Sequence, residues 1–256
     1  QEGAVAVKTP EDMMKALPEP RAIWLMLPAG EITENMITTL SNLLSRDDIL
    51  IDGGNTNYKD DIKRYEQLKK KGIQYVDAGT SGGIRGLERG YCLMIGGDGD
   101  AVERLDPIFK SLAPGKSNIK PAGTEPAENS TASQGYYHCG SAGSGHFVKM
   151  IHNGIEYGLM QAYAEGFNIL KKASEQSQGP TSQMDMKLDQ IAELWRRGSV
   201  IGSWLLDLTA EALNSNKELD QFQVLVHDSR EGRLTVDAAV ELAVPAHLLA
   251  ASLFTR

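Results

Sequence analysis

The feature that most constrains this chain is a run with no polar residue in it, Ala22-Ile23-Trp24-Leu25-Met26-Leu27. A strand with one wet face alternates apolar and polar side chains, whereas an unbroken run suits a strand covered on both faces of a parallel sheet. Ile49-Leu50-Ile51-Asp52, Ile73 to Ala78 and Tyr91 to Ile95 read as further strands. Between them lie helical patterns at Glu31 to Leu44, Lys59 to Lys71 and about Asp100 to Leu112, and a short helix starts at Thr9-Pro10-Glu11-Asp12, with Thr as cap and Pro at the first helical position. Strands and helices alternating in this way predict an α/β domain with a largely parallel, Rossmann-like sheet. Ala113 to Ser133 reads as a loop and Tyr136 to Cys139 as a short last strand.

In such sheets, ligands bind beyond the carboxyl ends of the strands. Three of those ends carry small residues here: Pro28-Ala29-Gly30, Gly53-Gly54-Asn55 and Ser81-Gly82-Gly83. One glycine pair after a strand is usually only a turn. Three such loops at equivalent ends predict a binding edge.

After Gly145 the pattern turns wholly helical: a long helix to about Ala173, then Met184 to Arg197, Ser199 to Asn214, Val236 to Leu242 and Pro245 to Phe254. The expected division is therefore residues 1–145 as a partial dinucleotide-binding domain and 146–256 as an all-α substrate and dimerisation domain. The long helix carries the most informative residues. At 3.6 residues per turn, Lys149, His152, Asn153, Glu156 and Tyr157 share one face. Lys149 and Glu156 lie two turns apart, roughly 10 Å along the axis, room for a small polyol between a base and an acid. A lysine and a glutamate on one helix are ordinarily a solvated pair. Here they stand among Phe147, Val148, Met150, Ile151, Ile155, Leu159 and Met160, with Gly154 and Gly158 four apart. Helix-interior glycines cost about 1 kcal/mol each against alanine, so a close-packed neighbour is expected at them.

Composition removes several function classes. A net charge of −8 and an isoelectric point near 5.2 offer no electrostatic footprint for nucleic acid or an anionic membrane. No apolar run reaches membrane-spanning length. The two cysteines, Cys92 and Cys139, have no metal-ligand spacing and read as buried thiols of a reduced, cytoplasmic protein, with no metal expected. The chain starts at Gln1 without an initiator Met, and is expected to be the interior of something longer.

Leu25-Met26-Leu27-Pro28-Ala29-Gly30, Ile51 to Tyr58, Gly79-Thr80-Ser81-Gly82-Gly83 and the helix run from Gly145 to Gly158 together resemble decarboxylating 6-phosphogluconate dehydrogenases in their shorter bacterial form. The first three would suit the wider β-hydroxyacid dehydrogenase superfamily; His152-Asn153-Gly154-Ile155-Glu156-Tyr157-Gly158 points to this member. The resemblance implies oxidative decarboxylation of 6-phosphogluconate to ribulose 5-phosphate, with hydride transfer to NADP or NAD, in the pentose phosphate pathway or gluconate utilisation. It implies Lys149 as general base and Glu156 as the acid that protonates C1. It further implies Asn55, Ser81, Gly82, Gly83, His152 and Asn153 as ligands of the substrate's carboxylate and hydroxyls, and Tyr157 as a ligand of its phosphate. Leu27 and Asn55 would lie beside the nicotinamide nucleotide, and the helical half would form a homodimer or larger homo-oligomer. A lysine base requires a lowered pKa and a glutamic acid donor a raised one, both favoured by low polarity.

Three departures separate the chain from the resemblance. No Gly-x-Gly-x-x-Gly occurs in the 256 residues, so the first strand-turn-helix, with its pyrophosphate cradle and its NAD-or-NADP residue, is not among them. Gly202 stands where similar proteins have a helix arginine, and Arg196 and Arg197 read as surface residues. The run from Asp228 to Leu234 differs from the usual glycine- and tryptophan-containing version. Two alternatives follow: a β-hydroxyacid dehydrogenase with another substrate, and a non-catalytic relic that binds sugar phosphate or oligomerises.

Overall fold

A computed structural model describes residues 3–115, 130–181, 184–222, 226 and 229–256. The chain separates into two compact units, one up to Met150 and the other Ile151–Arg256. The first is a five-stranded sheet in the order β1 (Ala22–Leu25), β2 (Ile49–Asp52), β3 (Gln74–Ser81), β4 (Cys92–Gly97) and β5 (Tyr136–Gly140). Its described helices are α1 (Pro10–Ala16), α2 (Glu31–Ser41), α3 (Tyr58–Lys69), α4 (Gly86–Arg89) and α5 (Gly99–Leu112). The long helix α6 (Ser144–Ser174) starts in this unit and continues into the second.

Strands β1 to β3 pair in parallel through the crossover helices α2 and α3, and β4 pairs in parallel with β5. Between β3 and β4 the pairing is antiparallel, with Ser81 opposite Cys92. Only residues 82–91 join those two strands, too few for a full crossover helix. They form a 3₁₀ turn and α4, a helix the sequence pattern did not show.

Period-2 alternation explains how one strand serves two cores. Leu50 joins Ile23, Leu25, Ile37, Leu40 and Tyr75 on one face of the sheet. Ile49 and Ile51 join Val76, Leu93, Ile95, Leu105 and Phe109 on the other. Each fully buried aliphatic or aromatic side chain contributes about 1.5–3 kcal/mol. The Ala22–Leu27 run is only half a double-sided strand. Pairing stops at Leu25, Ala22 and Met26 are exposed, and among the described residues β1 lies at the sheet edge.

The second unit adds α7 (Leu188–Trp195), α8 (Trp204–Ser215), α9 (Glu231–Glu241) and α10 (His247–Phe254). Phe167, Ala192, Leu206, Ala210 and Leu213 form its buried cluster. Here the sequence-expected boundaries move for local reasons. α8 begins at Trp204 rather than near Ser199, because Ser203 is extended and its hydroxyl accepts the Leu206 N–H at 3.1 Å, as a helix cap does. α9 begins at Glu231, earlier than Val236, directly after Arg230 turns the chain with φ of 71°. Most of the expected 113–133 loop, and Asp228, lie outside the described residues.

Two expectations are corrected. Cys92 is exposed and Cys139 half-buried, so the thiols are not both buried. Cys92 opens β4 at the rim of the sheet. Arg196 is not a bare surface residue: its guanidinium donates to Asp207 at 2.8 Å and to Glu193 at 3.0 Å, tying the end of α7 to α8.

Candidate active site

Glycines set the start of α6. A Cβ on Gly79 of β3 would lie 2.4 Å from the Cβ of Lys149, and one on Gly145 would lie 2.4 Å from the Met94 carbonyl oxygen. One on Gly96 would meet the Asp77 carboxylate, also at 2.4 Å. The first turns of the helix therefore press directly onto the backbone of β3 and β4. Asp77, fully buried on β3, caps that start: its carboxylate accepts the N–H of Gly143 at 2.6 Å and of His146 at 2.8 Å. Two otherwise orphaned helix donors are thereby satisfied. Burial, reinforced by the charge of Asp61, pushes Asp77 up to about 6, against the opposing pull of His146 and these N–H groups.

Seated this way, Lys149 is only 6% exposed. Its positive charge reaches Cys92, whose thiol is pushed up by burial and pulled back by that charge. Lys149 thus belongs to the same end of the sheet as the β3–β4 loop that starts at Ser81. In that loop Gly82 and Gly83 have φ of +138° and +52°, conformations that favour glycine, and leave backbone N–H groups uncovered by side chains.

The loop after β2 is built by Asp52. Its carboxylate accepts the Gly54 N–H at 3.0 Å and the Thr56 hydroxyl at 2.8 Å. A Cβ on Gly53 would strike the Trp24 indole, and one on Gly54 would lie 2.8 Å from the Leu27 carbonyl oxygen, so the β1 and β2 ends are in backbone contact. Asn55 is left as the exposed side chain and Leu27 is half-buried beneath. Met26, Pro28, Ala29 and Gly30 are exposed beside them. A rim of small and apolar groups with one amide fits the flat, apolar-faced ring of a nicotinamide nucleotide.

Behind this edge lies a polar network that sequence reading did not single out. Arg64 of α3, 3% exposed, donates to Asp52 at 3.0 Å and to Glu34 at 2.8–2.9 Å. Asp61 of α3 accepts the Tyr75 hydroxyl at 2.7 Å and the His146 Nδ1–H at 2.7 Å. Burial alone would depress His146, but the hydrogen bond to Asp61 and the charges of Asp61, Asp77 and Asp52 outweigh it, raising the imidazole to about 9. Asp52, Asp61 and His146 each bring a ligand atom within 4.8 Å of the others. The two carboxylates and His146 Nδ1 are already engaged by Arg64, Thr56, Tyr75 and one another. Only the Asp52 signal, an acid closing a strand before Gly-Gly, was visible in the sequence.

Along its own length α6 reverses the usual order of sides. Val148 is 40% exposed, Ile155 52% and Leu159 42%, while Asn153 and Tyr157 are buried. His152 and Glu156 are part-exposed, with Nδ1 and Oε2 3.9 Å apart, and His152 Nδ1 lies 3.1 Å from the Asn153 amide oxygen. Gly154 provides the close approach its position implied, since a Cβ there would be 2.6 Å from Thr235 of α9. Gly158 has only ordinary contact, at 3.6 Å from Leu248. The Tyr157 hydroxyl pairs with the Ser229 hydroxyl at 2.8 Å and accepts its N–H at 3.1 Å, and the Arg256 guanidinium sits 3.4 Å from the ring centre.

Residues 1–123 match the family model described as the NAD binding domain of 6-phosphogluconate dehydrogenase, and residues 145–256 match that of the C-terminal domain of 6-phosphogluconate dehydrogenase. YqeC of Bacillus subtilis (strain 168), whose name places it provisionally among 6-phosphogluconate dehydrogenases, is 41% identical over 99% of this chain and 76% of its own length. The NAD(+)-dependent, decarboxylating 6-phosphogluconate dehydrogenase of Haloferax volcanii is 36% identical over 99% of this chain and 76% of its own. Plasmodium falciparum 6-phosphogluconate dehydrogenase, solved apo and with NADP+ or 6-phosphogluconate, superimposes with a TM-score of 0.79 at 28% identity, over 98% of this chain and 50% of that one.

Proposed function

The chain belongs to the 6-phosphogluconate dehydrogenase family, and on that premise we propose that it converts 6-phosphogluconate to ribulose 5-phosphate, reducing NAD or NADP. The observation that carries the reading is Lys149, a buried lysine whose Cβ and Cγ are seated on Gly79. A lysine this deeply buried is suited to accept a proton rather than to decorate a surface.

Lys149 takes the C3 hydroxyl proton. A nicotinamide nucleotide, when bound, would accept the hydride from C3, and Leu27 and Asn55 would hold it. The resulting 3-keto acid releases carbon dioxide as protonated Lys149 returns its proton to the C3 oxygen, giving the enediol; Glu156 then delivers a proton to C1 while Lys149 takes back the hydroxyl proton, leaving the ketone. Asn55, the N–H groups of Ser81, Gly82 and Gly83, and the side chains of His152 and Asn153 hold the carboxylate and hydroxyls. Tyr157 is assigned to the phosphate, a reading supported by the Arg256 cation beside its ring, which favours an anion.

Lys149→Ala should abolish turnover of 6-phosphogluconate and leave nucleotide affinity nearly unchanged; retained turnover would remove Lys149 from the role. Gly202, in place of an arginine, favours a second reading, a β-hydroxyacid dehydrogenase acting on an unphosphorylated acid. Comparing kcat/KM for 6-phosphogluconate and gluconate separates the two. The division of labour follows the same proposal, with residues 1–145 for the nucleotide and 146–256 for substrate and self-association. Exposed Ile155, Leu159, Val200, Leu242, Leu248 and Phe254 supply an apolar surface for a homo-oligomer, which sedimentation as a monomer at all concentrations would contradict. Among the described residues no helix is long and apolar enough to cross a membrane. A cytoplasmic location is proposed with the function, since substrate and nucleotide are both held there.

A further inference from the structure

We propose that His146 is a positioning residue for the reaction: its 2.7 Å hydrogen bond to Asp61 fixes the first turn of α6, and hence the place of Lys149, against the loop that carries Asn55. The inference rests on the function proposed for Lys149.

His146 precedes Lys149 by three residues, just under one helical turn, yet is not on the sheet seat that the glycines make. It points instead into α3. From Asp61 the contacts continue without a gap. Arg64 Nη1 lies 3.7 Å from Asp61 and 3.0 Å from Asp52, and Asp52 holds Gly54 and Thr56 on either side of Asn55. On the other side, the His146 main-chain N–H is held by Asp77. His146 is therefore gripped at both ends, by its backbone to β3 and by its ring to α3, and is 2% exposed. Every acid in the chain of contacts meets a cation or a donor; the His146–Asp61 and Arg64–Asp52 links are charge-assisted hydrogen bonds, and Arg64 reaches Asp61 as a longer ion pair. The imidazole's rise to about 9 shows how strongly Asp61, Asp77 and Asp52 favour its charged form. The ring's Nε2, buried, has no hydrogen-bond partner among the described residues. The ring spends its buried polar surface on the Asp61 link alone, as a tether would, and not on a general solvating role.

The tether has a specific chemical demand, a donor at the Nδ1 position. Asparagine places its amide nitrogen close to that point, and leucine fills the volume without a donor. In the full chain, His146→Leu should lower kcat about tenfold or more while moving KM for 6-phosphogluconate less than about threefold, because a base displaced by a fraction of an ångström loses rate before affinity. His146→Asn should recover kcat to within about threefold of wild type. Amide hydrogen exchange across residues 143–149 should accelerate in His146→Leu and stay near wild type in His146→Asn. A folded His146→Leu protein with wild-type kcat would overturn the proposal. So would a His146→Asn protein as impaired as His146→Leu, and if His146→Leu does not fold, a loss above about tenfold in His146→Asn does the same. Wild-type protein without turnover refutes the proposed function instead. The exchange comparison then still decides the tether, since equal exchange over 143–149 in wild type and His146→Leu rules it out.

Discussion

Replacing Gly79 by alanine tests whether the seat under Lys149 matters to chemistry rather than only to folding. The new Cβ would lie 2.4 Å from the Lys149 Cβ and 3.0 Å from both the Lys149 Cγ and the Gly145 carbonyl oxygen. Carbon atoms rest about 3.5–4.0 Å apart, so the helix start must retreat from β3 by about 1 Å. It cannot do so freely. The Gly143 and His146 N–H groups are bound to Asp77 at 2.6 and 2.8 Å, and Gly145 is pressed on the Met94 carbonyl. Overpacking of this kind costs about 1–3 kcal/mol, or about 2–4 °C of melting temperature per kcal/mol in a chain of this size. The kinetic effect should exceed the thermal one. A catalytic base misplaced by about 1 Å loses about 100-fold in rate. Steady-state NAD(P)H formation with 6-phosphogluconate should therefore show kcat falling by about that factor, with a small change in KM. A folded Gly79→Ala enzyme whose kcat is within about threefold of wild type would refute the link between seat and base.

Gly166, in the interior of α6 with nothing within 4 Å of its would-be Cβ, is the matching control; Gly166→Ala should stabilise by about 0.5–1 kcal/mol in denaturant titration and leave kcat alone. Ser203→Ala removes the cap that fixes the start of α8 and should cost about 1 kcal/mol, read as a lower urea midpoint. His146, facing Asp61 from α3, Asp77 from β3 and, farther off, Asp52 from β2, is raised to about 9 in the fold against about 6.5 unfolded. Its stabilisation is complete below pH about 6.5 and is lost as pH rises through about 9, a fall of up to about 3 kcal/mol that His146→Asn should flatten in unfolding curves taken across that range.

What could be read from sequence was whatever repeats along the chain. The apolar run at Ala22, the strand at Ile49 and the alternation after them gave the α/β class, and the i, i+3, i+4, i+7, i+8 spacing put Lys149, His152, Asn153, Glu156 and Tyr157 on one helix. Gly154 announced a close neighbour, and Thr235 is that neighbour. Whatever depends on pairing between distant residues stayed hidden. Nothing near Asp61 marks it as the partner of His146, 85 residues away, and nothing near Asp77 marks it as the cap of a helix that starts at Ser144. The direction of β4 was equally silent, since it is set by the shortness of residues 82–91 and not by any property of β4 itself. Gly79, read from sequence as the end of a strand, proved to be the floor under a lysine.

The reversed sides of α6, with Val148, Ile155 and Leu159 turned outward and Lys149, Asn153 and Tyr157 inward, mean that hydrophobicity alone would rotate this helix the wrong way. Its azimuth is imposed at one end, by glycines that fit only one contact and by two N–H bonds to a single carboxylate. A length change is therefore far more damaging here than a substitution. One residue inserted between Gly145 and Lys149 turns everything after it by about 100°, carrying the lysine off its floor and the whole polar row with it. A change of side chain on the outer row leaves the phase intact. Drift in this lineage should accordingly be free in the identity of residue 148, confined to apolar side chains at 155 and 159 by the proposed self-association, and closed to any gain or loss of a residue from 143 to 157.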